Sequence, residues 1–409
     1  MKKIFEVFLG VLTAFGGFVD IGDIVANSET GARFRMSLAW AVIVGVIGIV
    51  LYAEMCGRVA TVAKRPVFDL VRERLGARAA MLNLLSSFFL NFLTLIAELA
   101  GMALVIQLVT GVTYLAWIVP AAVLIWFVIW KVPFSVMEKV FGLTGLALLV
   151  MVVALWKLHP VWGDISHQVT HPAVPKGEGL PTYFYFAIAL LGAAMTPYEV
   201  FFFSSGAVEE GWTPRDLNIN RANVYIGFPL GGALTLVLMA LSGVVFFPRM
   251  IRVDTLGQSA LPVSLGLGRI GLAVMLVGMF AAIASAALET ALSSGYVVAQ
   301  YFGWQWGTFV RPKEAPRFHL VVIVSMILAV IAGLTTIDPI KVTELSLVLA
   351  AAALPLTYFP ILVIANDRQY MGERVNSRPA NALATVYFVL LLIAAVAAIP
   401  LMIVTKMGS

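Results

Sequence analysis

Two short segments of the 409-residue chain combine carboxylates with residues that weaken a helix. Residues 15–24 read FGGFVDIGDI and contain Asp20 and Asp23, and residues 190–199 read LLGAAMTPYE and end at Glu199. Carboxylate oxygens, together with backbone carbonyls freed where a helix breaks, are ligands of hard cations. The two segments therefore predict a cation site built from two interrupted helices.

The surrounding composition is that of a membrane protein. Hydrophobic residues make up 61% of the chain and charged residues 12%, against about 25% charged residues in a soluble domain, and the mean hydropathy is +0.97. Stretches of roughly 20 apolar residues span a bilayer as helices. We predict an all-α membrane protein with eleven transmembrane helices, at 5–33, 37–60, 79–109, 113–131, 136–157, 181–209, 220–247, 262–300, 317–336, 342–365 and 381–405.

Two of these spans, the first and the sixth, contain the acidic interruptions. They are five spans apart, as expected for two five-helix repeats that are inverted in the membrane, and such matched breaks mark the central site of a transporter. Within a single transmembrane domain covering 1–409, the repeats are predicted at about 5–157 and 181–365, with an extra helix at 381–405. A carboxylate at mid-membrane costs about 2.5–3.5 kcal/mol on insertion scales, so these acids are expected to serve function.

The basic residues indicate an orientation. Most of the 27 lysines and arginines, including the group from Lys64 to Arg78, fall on one side of the predicted spans. The positive-inside bias places that side, with the N-terminus, in the cytoplasm and the C-terminus outside, in the cell (inner) membrane. The basic residues are divided among short loops, which is not a nucleic-acid footprint. The single Cys56 excludes an internal disulfide.

At the two breaks the chain resembles the natural resistance-associated macrophage protein (NRAMP) family of divalent-metal transporters. Residues 20–23, Asp-Ile-Gly-Asp, are similar to the family signature Asp-Pro-Gly-Asn, and residues 192–198, Gly-Ala-Ala-Met-Thr-Pro-Tyr, to Gly-Ala-x-x-Met-Pro-His. Residues 54–58 and 97–101 agree as well. The resemblance implies a leucine-transporter-like fold, alternating access and import.

The resemblance also implies a ligand set. Its positions carry Asp20, Asp23, the Ala193 carbonyl and Thr196, with Leu347 where some members have a glutamine ligand. Thus an amide has become a carboxylate, a thioether has become a hydroxyl, and Glu199 adds a further acid. Oxygen ligands suit hard cations, so Mg²⁺ or Mn²⁺ is expected before Fe²⁺ as substrate. Whether the neighbouring Met195 turns toward the ion stays open.

A proton is the candidate coupling ion of a symport, and the resemblance suggests a partly altered path for it. Tyr198 stands at the position of the family histidine, and Glu98 matches one of two third-span acids while Leu95 replaces the other. Glu289 lies in a polar stripe of the eighth span, which either lines a pathway or packs between helices. Glu98, Tyr198 and Glu289 are the candidate proton-path residues.

A transporter of the same fold for an organic cation or an amino acid is the main alternative. The absence of a sizeable soluble domain counts against a non-transporting receptor or scaffold. No Ser-His or Cys-His constellation within the spans indicates an enzyme, and no cofactor is expected. The loop at 158–180 contains His167 and His171, but its prolines and glycines predict a solvated loop and not a helix. The oligomeric state is not fixed by the sequence, and a monomer is compatible with it.

Overall fold

The structure is a computed structural model that describes residues 11, 18–132, 134–308, 310–335 and 338–408. The described residues form helices and connecting turns, without strands, which confirms the all-α class. The α-helices are α1 Ile21–Phe34, α2 Ala39–Ala63, α3 Val67–Leu75, α4 Ala77–Thr110, α5 Leu115–Lys131, α6 Phe134–Gly145, α7 Val150–Lys157, α8 Trp162–Thr170, α9 Leu180–Ala194, α10 Pro197–Glu209, α11 Leu217–Ala222, α12 Phe228–Val245, α13 Leu256–Phe302, α14 Pro316–Gly333, α15 Pro339–Ala365, α16 Arg368–Met371 and α17 Arg378–Val404.

The helices reproduce the predicted order of spans. In the described part of the chain, nine helical segments are long and apolar enough to cross a membrane, and α5 is a shorter apolar helix at the predicted fourth span. The first span is described mainly over its second half, α1, because most of its predicted first half lies outside the described residues. The count of eleven therefore remains a prediction.

The sixth span is broken, as predicted. Helix α9 ends at Ala194 and α10 begins at Pro197, so that Met195 and Thr196 form the break. Proline has no N–H and is favoured at the first position of a helix, which explains why α10 starts there. In the first span, Val19 and Asp20 are non-helical immediately before α1, so the structure supports an interruption there as well.

The third and eighth predicted spans are also long, and they differ in whether the helix is continuous. Helix α4 runs without interruption from Ala77 to Thr110. Helix α13 contains Gly268 at φ 68° and ψ −157°, a conformation in the positive-φ region that glycine adopts without a steric penalty, and the helix kinks there. The predicted third span is thus continuous and the eighth is divided near its start.

The broken helices occupy the centre of the bundle. Of the most apolar part of α9 and α10, 83% is buried within the protein, whereas the corresponding value for α17 is 22%. Helix α1 packs against α9, α12 and α15, and α4 packs along α13. Two glycines permit close approaches to the backbone of another helix: a Cβ atom on Gly31 would lie 2.2 Å from the Met239 carbonyl oxygen, and one on Gly192 would lie 2.3 Å from that of Leu347.

The connection at 158–180 was predicted as a loop without a helix, and this was wrong. Helix α8 spans Trp162–Thr170, and the rings of His167 and His171 stack at its end with centroids 4.7 Å apart. The prolines do not prevent the helix because Pro160 precedes its start and Pro172 follows its end. In the described part of the chain, these histidines belong to no group of three side chains able to hold a metal ion.

The same connection is attached to the end of α1 through Arg33. The Arg33 guanidinium forms two hydrogen bonds of 2.9 Å with the Glu178 carboxylate, donates to the Gly408 carbonyl, and lies over the Phe186 ring. Glu29, one turn earlier, is 3.7 Å from Arg33. Three segments distant in sequence therefore meet at one end of the bundle.

Candidate functional site

The two helix breaks meet through Asp20 and Tyr198. Asp20 is the N-cap of α1, where its Oδ1 accepts a hydrogen bond of 2.8 Å from the Asp23 N–H. Its Oδ2 accepts a hydrogen bond of 3.1 Å from the Tyr198 hydroxyl, in the first turn of α10. Asp20 is only 2% exposed. One carboxylate thus closes the start of one half-helix and contacts the start of the other.

Asp23 keeps one oxygen without a protein partner. It lies in the first turn of α1 and is 1% exposed, and its Oδ2 forms no hydrogen bond. Asn27, one turn further along, donates from Nδ2 to the Asp23 carbonyl at 2.9 Å and to Oδ1 at 3.5 Å. A buried acceptor without a partner is costly, so the Asp23 oxygen is suited to a ligand that brings positive charge.

The break in the sixth span supplies further oxygens. The Ala193 carbonyl would bond to the N–H of residue 197 in a continuous helix, but residue 197 is proline and has none. Thr196 is the N-cap of α10, and its hydroxyl donates to Glu199 Oε2 at 3.3 Å. Both side chains are buried, at 5% and 6% exposed. Thr196 and Glu199 therefore share one face at the start of α10.

The N-terminal ends of the two half-helices favour negatively charged side chains at these positions. Asp20 and Asp23 lie at the N-terminus of α1 and Glu199 lies in the first turn of α10, where the helix dipole favours negative charge. When these acids are charged, the Glu199 carboxylate is repelled by Glu289 and also by Asp23 and Asp20. In the described part of the chain no three of the acids converge on one point to form a closed metal cage. They line adjoining positions around the break.

The Met195 side chain packs against α2. Its thioether packs over Gly48 of α2, where an added Cβ atom would lie 2.6 Å from the sulfur, and its carbonyl accepts a hydrogen bond of 3.1 Å from Tyr358. Leu347 of α15 covers the other side of the break, with its Cδ2 atom 2.7 Å from a Cβ atom built on Gly22. The position that resembles the glutamine site thus presents an apolar side chain.

The candidate proton-path residues surround the same region. Glu98 of α4 accepts a hydrogen bond of 3.4 Å from the Ile21 N–H through Oε1, and its Oε2 has no partner. Glu289 of α13 accepts one of 3.2 Å from the Ser285 hydroxyl. Ser293 donates to the Tyr198 carbonyl at 3.4 Å. Leu95, which replaces the second acid, is fully buried.

A small cavity adjoins Asp20, Glu98, Thr196 and Tyr198. Its volume is about 10 Å³, close to the minimum that one water molecule needs. Further polar lining residues, which lie outside the two family signatures, are Asn91, Thr94, Thr343 and Ser346. The sequence signal for them is a hydroxyl or amide within an apolar span, which is too common to identify a site alone. The contact of Asn27 with Asp23 likewise has no sequence signal specific enough to predict it.

Discontinuous helices that meet at mid-bundle, with acids and free backbone groups at their ends, define a class of membrane transporters with a central substrate site. A family model, described as natural resistance-associated macrophage protein-like, matches residues 10–400. The chain therefore belongs to this family, as its motifs predicted, and it is a membrane transporter and not an enzyme.

Individual relatives agree with this assignment. The divalent metal cation transporter MntH of Klebsiella pneumoniae is 24% identical over 374 residues, covering 88% of this chain and 86% of the relative. A crystal structure of the Eremococcus coleocola manganese transporter superposes with a TM-score of 0.76 at 16% identity, covering 99% and 88% of the two chains. Mhp1, a nucleobase-cation-symport-1 family transporter, shares the fold with a TM-score of 0.59 at 16% identity, covering 98% and 92%.

Proposed function

We propose that the chain is a secondary-active transporter of a hard divalent cation, with Mg²⁺ or Mn²⁺ as its substrate. Relatives named as divalent metal cation and manganese transporters support the divalent class. The proposed ligands are Asp20, Asp23, the Ala193 carbonyl, Thr196 and Glu199. The ion would bind where the two broken helices meet, and alternating access would expose this point to each side of the membrane in turn.

The observation that carries the proposal is the chemistry of the groups at the breaks. Asp23 Oδ2 lacks a partner, the Ala193 carbonyl lacks its helical donor, and Thr196 offers a hydroxyl. All are oxygen donors, while the Met195 thioether is packed against Gly48. Mg²⁺ is commonly held by one or two carboxylates and keeps several waters. A softer metal would gain little from a set of ligands that consists of oxygen atoms.

Proton coupling and import form a further part of the proposal. Glu98, Tyr198 and Glu289 surround the site, and Tyr198 joins it directly through its bond to Asp20. Cation uptake into the cytoplasm across the inner membrane would then accompany inward proton movement. Acidification of the lumen during metal uptake, followed with a pH-sensitive dye in liposomes, tests coupling. A metal flux without any pH change excludes it.

Uptake by purified protein in liposomes tests the substrate. Mg²⁺ and Mn²⁺ are compared with guanidinium and a mixture of amino acids, first in the unaltered chain and then in Asp20→Ala combined with Asp23→Ala. We expect metal uptake that the double variant abolishes. Metal flux that survives the double substitution contradicts the site, and organic-cation uptake without metal uptake contradicts the proposed substrate. The fold shared with Mhp1 makes that second comparison necessary.

A further inference from the structure

A groove on the outer face of the bundle runs between α5 and α14, remote from the helix breaks. Its volume is about 340 Å³. Its lining is entirely apolar and consists of Val119, Ala122, Val123, Trp126, Ile323, Met326, Ile327, Val330 and Ile331. Several of these side chains are strongly exposed, with Val123 at 54% and Ile331 at 56%. In a membrane-spanning protein such a face is turned toward the hydrocarbon of the bilayer.

One end of the groove changes from apolar to aromatic and basic. Trp126 stacks on Trp130 with ring centroids 5.0 Å apart, and the Lys131 ammonium lies 3.9 Å from the Trp130 centroid. On the neighbouring helix, Arg317 lies over the Trp304 ring, 5.2 Å from its centroid. Lys131 and Arg317 are both exposed. The two helices are antiparallel, since a Cβ atom on Gly333 at the end of α14 would lie 3.4 Å from Ile118 near the start of α5. Lys131 at the end of α5 and Arg317 at the start of α14 therefore lie at the same end of the pair.

The dimensions correspond to one leaflet. On α5 the groove lining runs from Val119 to Trp126, a rise of about 10 Å, and the helix continues for about 8 Å to Lys131. Together these two parts are close to the roughly 15 Å that one leaflet contributes to the hydrocarbon core. Tryptophan is enriched where hydrocarbon meets the headgroup region. Basic pockets between transmembrane helices bind anionic lipid headgroups. The groove and the helix end beyond it therefore span about one leaflet, with two basic residues at the level of a headgroup.

We propose that the α5–α14 groove is a binding site for an anionic phospholipid. One acyl chain lies along the apolar lining, the glycerol region lies beside Trp126 and Trp130, and the phosphate is bound by Lys131 and Arg317. A second copy of the chain fits less well. Two copies related by an axis along the membrane normal would bring their Lys131 and Arg317 side chains to the same level, where like charges repel.

Native mass spectrometry of the full-length protein tests this site. The protein is delipidated in detergent and then offered equal amounts of phosphatidylglycerol and phosphatidylcholine with the same acyl chains. We expect preferential retention of phosphatidylglycerol. Lys131→Gln combined with Arg317→Gln is expected to weaken that preference by about fivefold per residue, from about 1 kcal/mol for each basic residue near an anionic lipid surface. The matched control removes two exposed basic residues elsewhere, Lys64→Gln with Arg215→Gln, and should leave the preference unchanged.

A second variant tests the apolar part of the groove. Val123→Trp fills the lining, and retention of both lipids should fall, whereas Val389→Trp, at a similarly exposed position of α17, should not alter it. Thermal unfolding of each variant confirms that it is folded. Equal retention of the two lipids by the unaltered protein overturns the proposal, as does a control pair that behaves like the Lys131 and Arg317 pair. A dimer that Val123→Trp dissociates assigns the groove to a second copy and also overturns it.

Discussion

At the scale of single residues, the two half-helices begin with the same kind of pair. Asp20 and Asp23 occupy the N-cap and third position of α1, and Thr196 and Glu199 occupy the same positions of α10. The first pair is a cap, since Asp20 accepts from the Asp23 N–H. In the second pair the Thr196 hydroxyl instead contacts the Glu199 carboxylate. Asp20 therefore has a structural function as well as a proposed function in ion binding.

Replacing Asp20 by asparagine or alanine separates these two functions. Asparagine caps a helix about as well as aspartate, whereas loss of the cap costs about 1 kcal/mol. Both substitutions should abolish metal uptake, because both remove the charge. Asp20→Ala should unfold at a lower temperature than Asp20→Asn in a detergent melting experiment. Equal melting temperatures would show that the hydrogen bond to the Asp23 N–H contributes nothing to stability.

The identity of the donors at the second break can be tested with a pair of methionine variants. Thr196→Met places a thioether beside Glu199, and softer ligands favour Mn²⁺ and Cd²⁺ over Mg²⁺. The ratio of Mn²⁺ to Mg²⁺ affinity, measured by calorimetry, should rise about tenfold, since a gain of about 1.4 kcal/mol corresponds to that factor. Met195→Leu is the control, because its thioether packs on Gly48 and the ratio should not change. A ratio that responds to Met195→Leu instead would place that sulfur at the ion.

The sequence predicted the polar groups of the site better than their contacts. Proline at position 197 and the acids at 20, 23 and 199 identified both breaks, because helix-weakening residues and buried charge are local signals. The bond from Tyr198 to Asp20 joins positions 178 residues apart, and no spacing rule predicts it. The direction of Met195 depends on the space left by Gly48 on another helix. Such packing is decided by tertiary structure.

At the scale of elements, α9 and α15 approach closely beside the break. Gly192 faces the Leu347 carbonyl, and the same leucine covers Gly22 of α1 with its side chain. Three helices therefore meet around two glycines and one leucine. Because Leu347 occupies this space, movement of α1 relative to α9 requires a rearrangement against α15. The sequence predicted which helices are broken, but it did not predict this contact, since a glycine within an apolar span has many uses.

A pair of glycine substitutions tests the contact. In Gly192→Ala the new methyl group would lie 2.3 Å from the Leu347 carbonyl oxygen, so α9 must shift away from α15. Overpacking of this kind typically costs about 1–3 kcal/mol, and we expect a lower melting temperature and reduced metal uptake. Gly206→Ala in α10 has no atom within 4 Å of the new methyl group. Its melting temperature should stay the same or rise, because replacing a glycine inside a helix by alanine stabilises the folded state by about 0.5–1 kcal/mol. Equal effects of the two variants would contradict a specific contact at Gly192.

At the scale of the whole molecule, the contacts of Arg33 constrain how the chain crosses the membrane. Arg33 lies at the end of the first span, Glu178 follows the fifth and Gly408 follows the last, yet all three meet. Segments in direct contact at one end of the bundle lie on the same side of the bilayer. The chain must therefore cross the membrane an even number of times between Arg33 and Gly408, which agrees with the ten later spans of the prediction.

The predicted orientation places this Arg33 cluster outside the cell, and labelling of single cysteines in intact cells tests it. Gly163→Cys in α8 has open space around the new side chain, and Arg78→Cys lies at the exposed start of α4. The native Cys56 is buried and should contribute little background. A membrane-impermeant maleimide should label position 163 in intact cells and position 78 only after permeabilisation, because the positive-inside bias places the Lys64 to Arg78 region in the cytoplasm. The reverse pattern would invert the topology and, with it, the leaflet at which Lys131 and Arg317 lie.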